Sequence, residues 1–145
     1  MQKLLIAGSS GQAKITIDII ERVGTHRIVG LLDASRPVGE ETFGYPIVGT
    51  TQDVAACAAK LGADSVFVAI GDNSVRKRVV EEIRAAAPDL DFPSVIHPSA
   101  CIGRDVNVGP GVFMSAGVII NSAVEVAEGS LISANASLDH DSSIG

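Results

Sequence analysis

The sequence predicts two architectures in one chain: an α/β layer built on a small parallel sheet, followed by a parallel β-coil. Three observations carry this reading. Short apolar runs alternate with helical patterns up to about residue 90. From Ile96 onward an aliphatic residue recurs at every sixth position without a break. The change of period is abrupt, so residues 1–92 and 93–145 read as separate domains.

The first domain is justified element by element. LLIA (4–7) is a buried-strand run that stops at Gly8. Residues 11–23 (GQAKITIDIIERV) read as a helix, with Ile15, Ile19 and Ile20 on one face and Asp18, Glu21 and Arg22 elsewhere. IVGLLD (28–33) is a second strand. TTQDVAACAAKLGA (50–63) is a helix with Thr50 or Thr51 as cap and Gly62 as stop. SVFVAIG (65–71) is a third strand. NSVRKRVVEEIRAAA (73–87) is a long helix capped by Asn73 or Ser74, with Pro88 just beyond it. The order β-α-β-α-β-α implies a Rossmann-like parallel βαβ sheet with right-handed crossovers.

The second domain rests on one phase. Ile96, Ile102, Val108, Met114, Ile120, Val126, Ile132, Leu138 and Ile144 are all aliphatic. Four residues after each of the first eight stand Ala100, Val106, Val112, Val118, Val124, Ser130, Ala136 and Ser142, all small or β-branched. A helix needs apolar spacings of three and four, so this period excludes one. One flat face per hexad, with three hexads closing a triangular turn, explains it. The large aliphatic points inward, and the small residue fits near a corner. Residues 106–124 carry no charge and are long enough to cross a membrane, but the hexad period accounts for them. The last hexad begins at Ile144-Gly145, which reads as a solenoid cut short before its cap.

Composition narrows the function. Hydrophobic residues make up 46% of the chain and charged residues 19%, which excludes disorder. The net charge is −6 and no Lys/Arg-dense run occurs, so neither a nucleic acid nor an anionic membrane is an expected partner. Cys57 and Cys101 follow no metal spacing and form no disulfide framework, and no metal is expected. The opening MQKLLIAGSSG has too short an apolar run for a signal peptide, and the protein is expected in the cytoplasm.

Chemistry concentrates at three places. Gly8-Ser9-Ser10-Gly11 joins the first strand to a helix, a turn whose backbone N–H groups can face an anion such as a diphosphate. Asp33 closes the second strand, where a carboxylate can accept hydrogen bonds from ribose hydroxyls. The spacing Gly-x-x-Gly falls short of a full dinucleotide fingerprint, and a plain βα turn would need the same glycines. Gly71-Asp72-Asn73 ends the third strand beside the same crevice, and serves equally as a helix cap. Of the histidines, His26 is read as a solvated surface residue in a polar loop, and His97, which precedes Pro98 where the hexads start, as structural or exposed. His140 lies inside the coil near a corner, flanked by Asp139 and Asp141. A neutral imidazole there can take a proton from an attacking amine or hydroxyl, or it is a wall histidine without a role.

Taken together, GSSGQAKITIDII, LLD, VAIGDNSVRKRV, FPSVIHPSACIG and the hexads reaching SLDHDSSIG resemble the sugar O-/N-acyltransferase family. That family, of the hexapeptide-repeat superfamily, includes the sialic acid O-acetyltransferase and the UDP-amino-sugar acetyltransferases of bacterial glycan pathways. The resemblance runs along residues 1–145 in order. It implies a left-handed parallel β-helix for the hexads, whose crossovers depart from the usual hand. It also implies an N-terminal domain that binds a nucleotide-sugar acceptor, a homotrimer, and acetyl-CoA as co-substrate between neighbouring coils. His140 falls at the position of the base and Asp141 at that of its acidic partner. Ser10, Gly11, Gln12, Asp33, Gly71 and Asn73 fall at or beside acceptor contacts.

Two departures from the family pattern matter. Gln12 stands where relatives usually carry His, so a proton role there is excluded. Relatives continue for several further coils that supply most acetyl-CoA contacts. The reading is therefore an acetyl-CoA-dependent acetyltransferase acting on the amino or hydroxyl group of a nucleotide-activated sugar. The alternative is a nucleotide-sugar-binding fragment without turnover; a nicotinamide-dependent oxidoreductase is disfavoured by the incomplete glycine motif and the hexads.

Overall fold

Leu4, Leu5, Ile6 and Ala7 of β1 (Gln2–Ala7) are fully buried, as a parallel strand covered on both faces must be. β1 is parallel to β2 (His26–Leu32) on one side and to β5 (Ser65–Val68) on the other. The computed structural model describes residues 1–145, which divide into two units, Met1–Phe92 and Pro93–Gly145.

The first unit differs from the expected all-parallel sheet. It has five strands in the order β3-β4-β2-β1-β5, with β3 (Glu41–Thr42) antiparallel to β4 (Tyr45–Gly49). β4 is itself parallel to β2. The hairpin turns through Phe43 and Gly44, whose φ values of 49° and 84° are both positive, the requirement of a two-residue turn matched to strand twist. An aromatic residue at the first of these positions carries no hairpin signal in the sequence, so the two strands were not expected.

The helices follow from their faces and ends. α1 (Gly11–Val23) has the expected bounds, but it buries Ala13, Thr16, Ile17, Ile19 and Ile20. Ile15 is 47% exposed, so its assignment to the apolar face is corrected. A helix turns about 200° in two residues, and Ile17 rather than Ile15 completes the stripe of residues 13, 16, 17 and 20. A 3₁₀ turn (Thr51–Asp53) leads into α2 (Val54–Leu61), which ends at Gly62 with φ 70°. α3 (Asn73–Ala86) is capped by Asp72, not by Asn73 or Ser74. The Asp72 carboxylate accepts from the Val75 N–H at 3.0 Å and the Ser74 hydroxyl at 2.8 Å, because only the residue before the first helical position can reach that third N–H. His26 is also corrected: it opens β2 and is half-buried.

The second unit is three parallel ladders of two-residue strands. One ladder joins β6 (Val95–Ile96), β9 (Phe113–Met114) and β12 (Leu131–Ile132). Another joins β7 (Cys101–Ile102), β10 (Ile119–Ile120) and β13 (Ser137–Leu138). The third joins β8 (Asn107–Val108), β11 (Glu125–Val126) and β14 (Ser143–Ile144). Each residue pairs with the one three hexads along the chain, Ile96 with Met114 and Met114 with Ile132. This is consistent with a hexapeptide-repeat β-helix.

Its core takes two residues per hexad. Met114 and Ile120 are buried, and so are Val112, Val118 and Val124 of the second row. That row is core in its own right. Tight clearance falls instead on two glycines that each follow a large aliphatic. A Cβ on Gly109 would meet the Glu128 nitrogen at 2.7 Å, and one on Gly103 the Ser122 nitrogen at 2.8 Å. A further row turns the corners with positive φ: Asp105, Gly111, Gly117, Ala123, Gly129, Asn135 and Asp141. Gly, Asn and Asp tolerate that conformation at the least cost.

Candidate functional site

Asp141 occupies one of these left-handed corners, at φ 56°. Adjacent residues of an extended chain point to opposite sides. The corner breaks that alternation and brings His140 Nδ1 to 3.0 Å from Asp141 Oδ2. An ionised carboxylate only accepts, so Nδ1 carries the proton and donates it, and Nε2 keeps its lone pair. The hydrogen bond to Asp141 is the first cause that raises the His140 pKa, helped by the charges of Asp141 and Asp139. Both side chains are more than three-quarters exposed.

His97 has the opposite tautomer. The Ser99 N–H donates to its Nδ1 at 3.0 Å, and the Ser99 hydroxyl lies 2.8 Å from the same nitrogen. Ser99 Oγ in turn accepts from the Gly117 N–H at 3.0 Å, which leaves its own proton for the imidazole. A neutral His97 therefore carries its proton on Nε2 and cannot accept one there.

In the first unit the carboxyl ends of β1, β2 and β5 share one edge. The Gly8 N–H donates to Leu32 O at 2.8 Å, and Gly8 has φ 123°. A Cβ on Gly8 would lie 2.5 Å from Ala69 O, so the close approach admits only glycine. Ser10 stands at the N-cap of α1 and makes no side-chain cap hydrogen bond. Gly11 has nothing within 4 Å of its would-be Cβ. Gln12 carries a buried amide nitrogen, Nε2, with no hydrogen-bond partner.

Asp33 is brought to this turn. Its carboxylate accepts from the Ser9 hydroxyl on one oxygen, and from the Ser35 N–H (2.8 Å) and hydroxyl (2.6 Å) on the other. Burial alone would raise its pKa, but these bonds together with Arg36 outweigh it and hold the carboxyl below its usual value. Three of about four lone-pair positions are thus filled from within the chain. Gly71 and Asn73 are tied to a buried cation. Arg76 donates to Ile70 O, Gly71 O and Asn73 Oδ1 at 3.0, 3.2 and 2.7 Å. The Asn73 oxygen is therefore engaged in holding the loop.

Sequence reasoning missed Ser9, Ser35, Arg36, Thr42 and Arg76. Ser9 and Arg76 lay inside quoted motifs and Ser35 and Arg36 just beyond Asp33, but nothing local in the sequence marked their partners, and Thr42 lay near no motif. A cavity of about 530 Å³ in this unit lies at the amino ends of β1, β2 and β4, lined by residues including Ile20, Glu21, His26 and Tyr45. It holds none of the expected site residues. There Tyr45 donates to Glu21 at 2.6 Å, and the phenol is pushed up to about 12 by that bond. No group of His, Cys, Asp and Glu is placed to bind a metal ion.

Comparison with known proteins adds three relatives. The chain is 28% identical over 120 residues to the UDP-N-acetylbacillosamine N-acetyltransferase of Bacillus subtilis, across 80% of this chain and 52% of that one. A histidine-to-asparagine variant of perosamine N-acetyltransferase from Caulobacter crescentus, in complex with CoA and GDP-perosamine, superposes with a TM-score of 0.89 at 29% identity. That match covers 99% of this chain and 65% of the other. The acetyltransferase domain of PglB from Neisseria gonorrhoeae in complex with acetyl coenzyme A gives 0.83 at 27% identity, over 97% of this chain and 65% of that one. The chain thus spans about half the length of the curated relative and about two thirds of the solved ones. The model of the PglD N-terminal domain matches residues 3–83, more than half of the sequence, and the chain belongs to that family.

Proposed function

We propose that the protein transfers an acetyl group from acetyl-CoA to the amino or hydroxyl group of a nucleotide-activated sugar. The observation that carries this is the His140–Asp141 pair: Nδ1 bound to a carboxylate at 3.0 Å and Nε2 left with a free lone pair. His140 Nε2 takes the proton from the acceptor nitrogen or oxygen as that atom attacks the thioester carbonyl carbon. The thioester supplies the activated acetyl carbon. The C–S bond breaks, the imidazolium returns its proton to the leaving sulfur, and acetylated sugar and free thiol result. Asp141 fixes the tautomer and stabilises the cation formed on the ring.

Ser10, Gly11, Gln12, Asp33 and Gly71, with Asn73 beside them, form the acceptor site in residues 1–92. Amino sugars of nucleoside diphosphates are the favoured class, in line with the UDP- and GDP-linked sugars named for the relatives. Residues 93–145 form a left-handed β-helix that assembles as a homotrimer, in the cytoplasm. Ile119 and Ile102 stand 47% and 42% exposed on one ladder, apolar surface that assembly would cover. No helix of the structure is long and apolar enough to cross a membrane.

A CoA thiol-release assay with UDP- and GDP-linked amino sugars tests the proposal. Acceptor-dependent thiol release, lost in His140→Ala, supports it. A second reading, acceptor binding without turnover, is favoured by the family match to residues 3–83, which lies wholly within the first unit. Nucleotide-sugar binding with no thiol release supports that reading instead.

A further inference from the structure

Ser9 is almost wholly buried and is held at both ends. Its hydroxyl is bound to Asp33. Its carbonyl oxygen accepts from Thr42 Oγ1 at 2.9 Å and from Arg36 at 3.2 Å. Arg36 also donates to Thr42 Oγ1 at 2.7 Å, to Glu41 O at 3.0 Å and to the Glu40 carboxylate at 2.9 Å. The guanidinium is thereby locked, and the Thr42 hydroxyl has one direction left for its proton, toward Ser9 O. The hairpin strand β3 is in this way fastened to the glycine turn.

This has a geometric consequence. The chain has no cis peptide bonds, so the C=O of Ser9 and the N–H of Ser10, which share one planar peptide unit, point in opposite directions. Pinning the carbonyl inward on Thr42 and Arg36 drives the Ser10 N–H outward. Ser10 is exposed, and its side chain does not turn back to cap the helix. Gln12, two residues on and already in α1, keeps a buried amide nitrogen without a partner. The turn and the first residues of the helix thus hold donors that the chain itself does not use.

We infer that Thr42, oriented by Arg36, is a positioning residue for the acceptor's diphosphate: it aims the Ser10 N–H at a phosphate oxygen. The inference rests on the reading of this turn as the acceptor site. Thr42 touches no ligand and acts through the Ser9–Ser10 peptide. A charge-assisted N–H···O⁻ bond loses its strength when the donor is free to rotate away. Removing the Thr42 hydroxyl leaves Ser9 O with the longer Arg36 bond alone.

The experiment titrates UDP and GDP into the 145-residue chain, with affinity read by calorimetry and the Ser10 amide proton read by NMR. In the parent, at least one diphosphate binds and moves the Ser10 amide proton downfield. Thr42→Val weakens that binding about tenfold, the worth of one hydrogen bond to a charged group, and abolishes the Ser10 shift, while amides of the hexads stay in place. Thr42→Ser, which restores the hydroxyl, restores both. Thr42→Val with unchanged affinity and an unchanged Ser10 shift overturns the inference and leaves the acceptor site standing. A parent that binds a diphosphate without moving Ser10 does the same. A parent that binds neither UDP nor GDP removes the acceptor reading and the inference with it. Should Thr42→Val not fold, Arg36→Lys decides, since it keeps the charge but cannot bridge Ser9, Glu41 and Thr42 at once. Weaker diphosphate binding with a reduced Ser10 shift supports the inference, and unchanged values overturn it.

Discussion

His140 and Asp141 are neighbours in sequence, yet their side chains meet, Nδ1 to Oδ2 at 3.0 Å, because Asp141 sits at φ 56°. One residue thus supplies both the corner of the coil and the carboxylate that orients the imidazole. This sets an order among variants of the pair. His140→Ala removes the base and should lower turnover about 10²–10⁴-fold with little change in acceptor KM. Asp141→Asn keeps a residue that tolerates the left-handed corner and should cost less. Steady-state kinetics on both checks the order, and an unaltered rate in His140→Ala would move the base elsewhere.

The pH dependence follows from the same pair. Asp141 raises the His140 pKa by favouring the cation. Only the neutral ring accepts a proton, so kcat/KM should rise with pH through that raised value and level off above it. Asp141→Asn should move the inflection to lower pH, toward the ordinary histidine value. His97 cannot substitute, because its Nδ1 is taken by Ser99 and its Nε2 carries the proton. A pH profile that does not move in Asp141→Asn counts against this assignment.

The parts of this molecule differ in how far they could be read from sequence. The hexads were legible because their period is rigid: Ile96 to Ile144 hold one phase, and the ladders place each residue where that phase puts it. His140 and Asp141 were legible as neighbours in sequence, but their tautomer was not, since it follows from a backbone angle. The Phe43–Gly44 hairpin was missed because phenylalanine gives no local reason for φ 49°, and the contacts of β3 impose it. Arg36 and Thr42 were missed with it. Their partner Ser9 is about thirty residues away, and only the place of β3 in the sheet brings them to it. Ile15 was put on the wrong face because three isoleucines at 15, 19 and 20 outweighed the smaller Ala13 and Thr16 that define the stripe.

Asp33 gives a prediction on stability against pH. Its pKa is lowered in the folded state, where Ser35, Ser9 and Arg36 outweigh burial. A depressed folded value means that its contribution is present above the ordinary carboxylate pKa and is lost as pH falls through the folded one. Asp33→Asn should therefore be less stable than the parent at neutral pH, and the two melting curves should converge in acid. It should also shrink the rise in Tm that a nucleoside diphosphate gives, a rise that reflects a stabilisation of about 2.7 kcal/mol at a ligand concentration 100 times Kd. A full rise in Asp33→Asn would confine Asp33 to organising the turn.

The coil corners yield two opposed substitutions. Gly109→Ala puts a methyl group 2.7 Å from the Glu128 nitrogen, a backbone atom that cannot swing aside. The coil must spread, at a cost of about 1–3 kcal/mol. Ala123 is the reverse case. It holds φ 59° in a row otherwise filled by Asp, Gly and Asn. Left-handed backbone costs an ordinary L-residue about 1–2 kcal/mol, and glycine escapes that cost. Glycine also loses about 0.5–1 kcal/mol more conformational entropy on folding than alanine does. The steric relief is the larger quantity, so Ala123→Gly should stabilise the coil by roughly 0.5–1 kcal/mol, a Tm higher by about 2–3 °C. Asn at this position, tolerant of the same angles without the full entropy loss, should do at least as well. Calorimetric melting of the three variants against the parent checks the argument: Gly109→Ala below it, the two Ala123 variants above it. A lower Tm for both Ala123 variants would mean that the Ala123 methyl group contributes packing that exceeds the backbone strain.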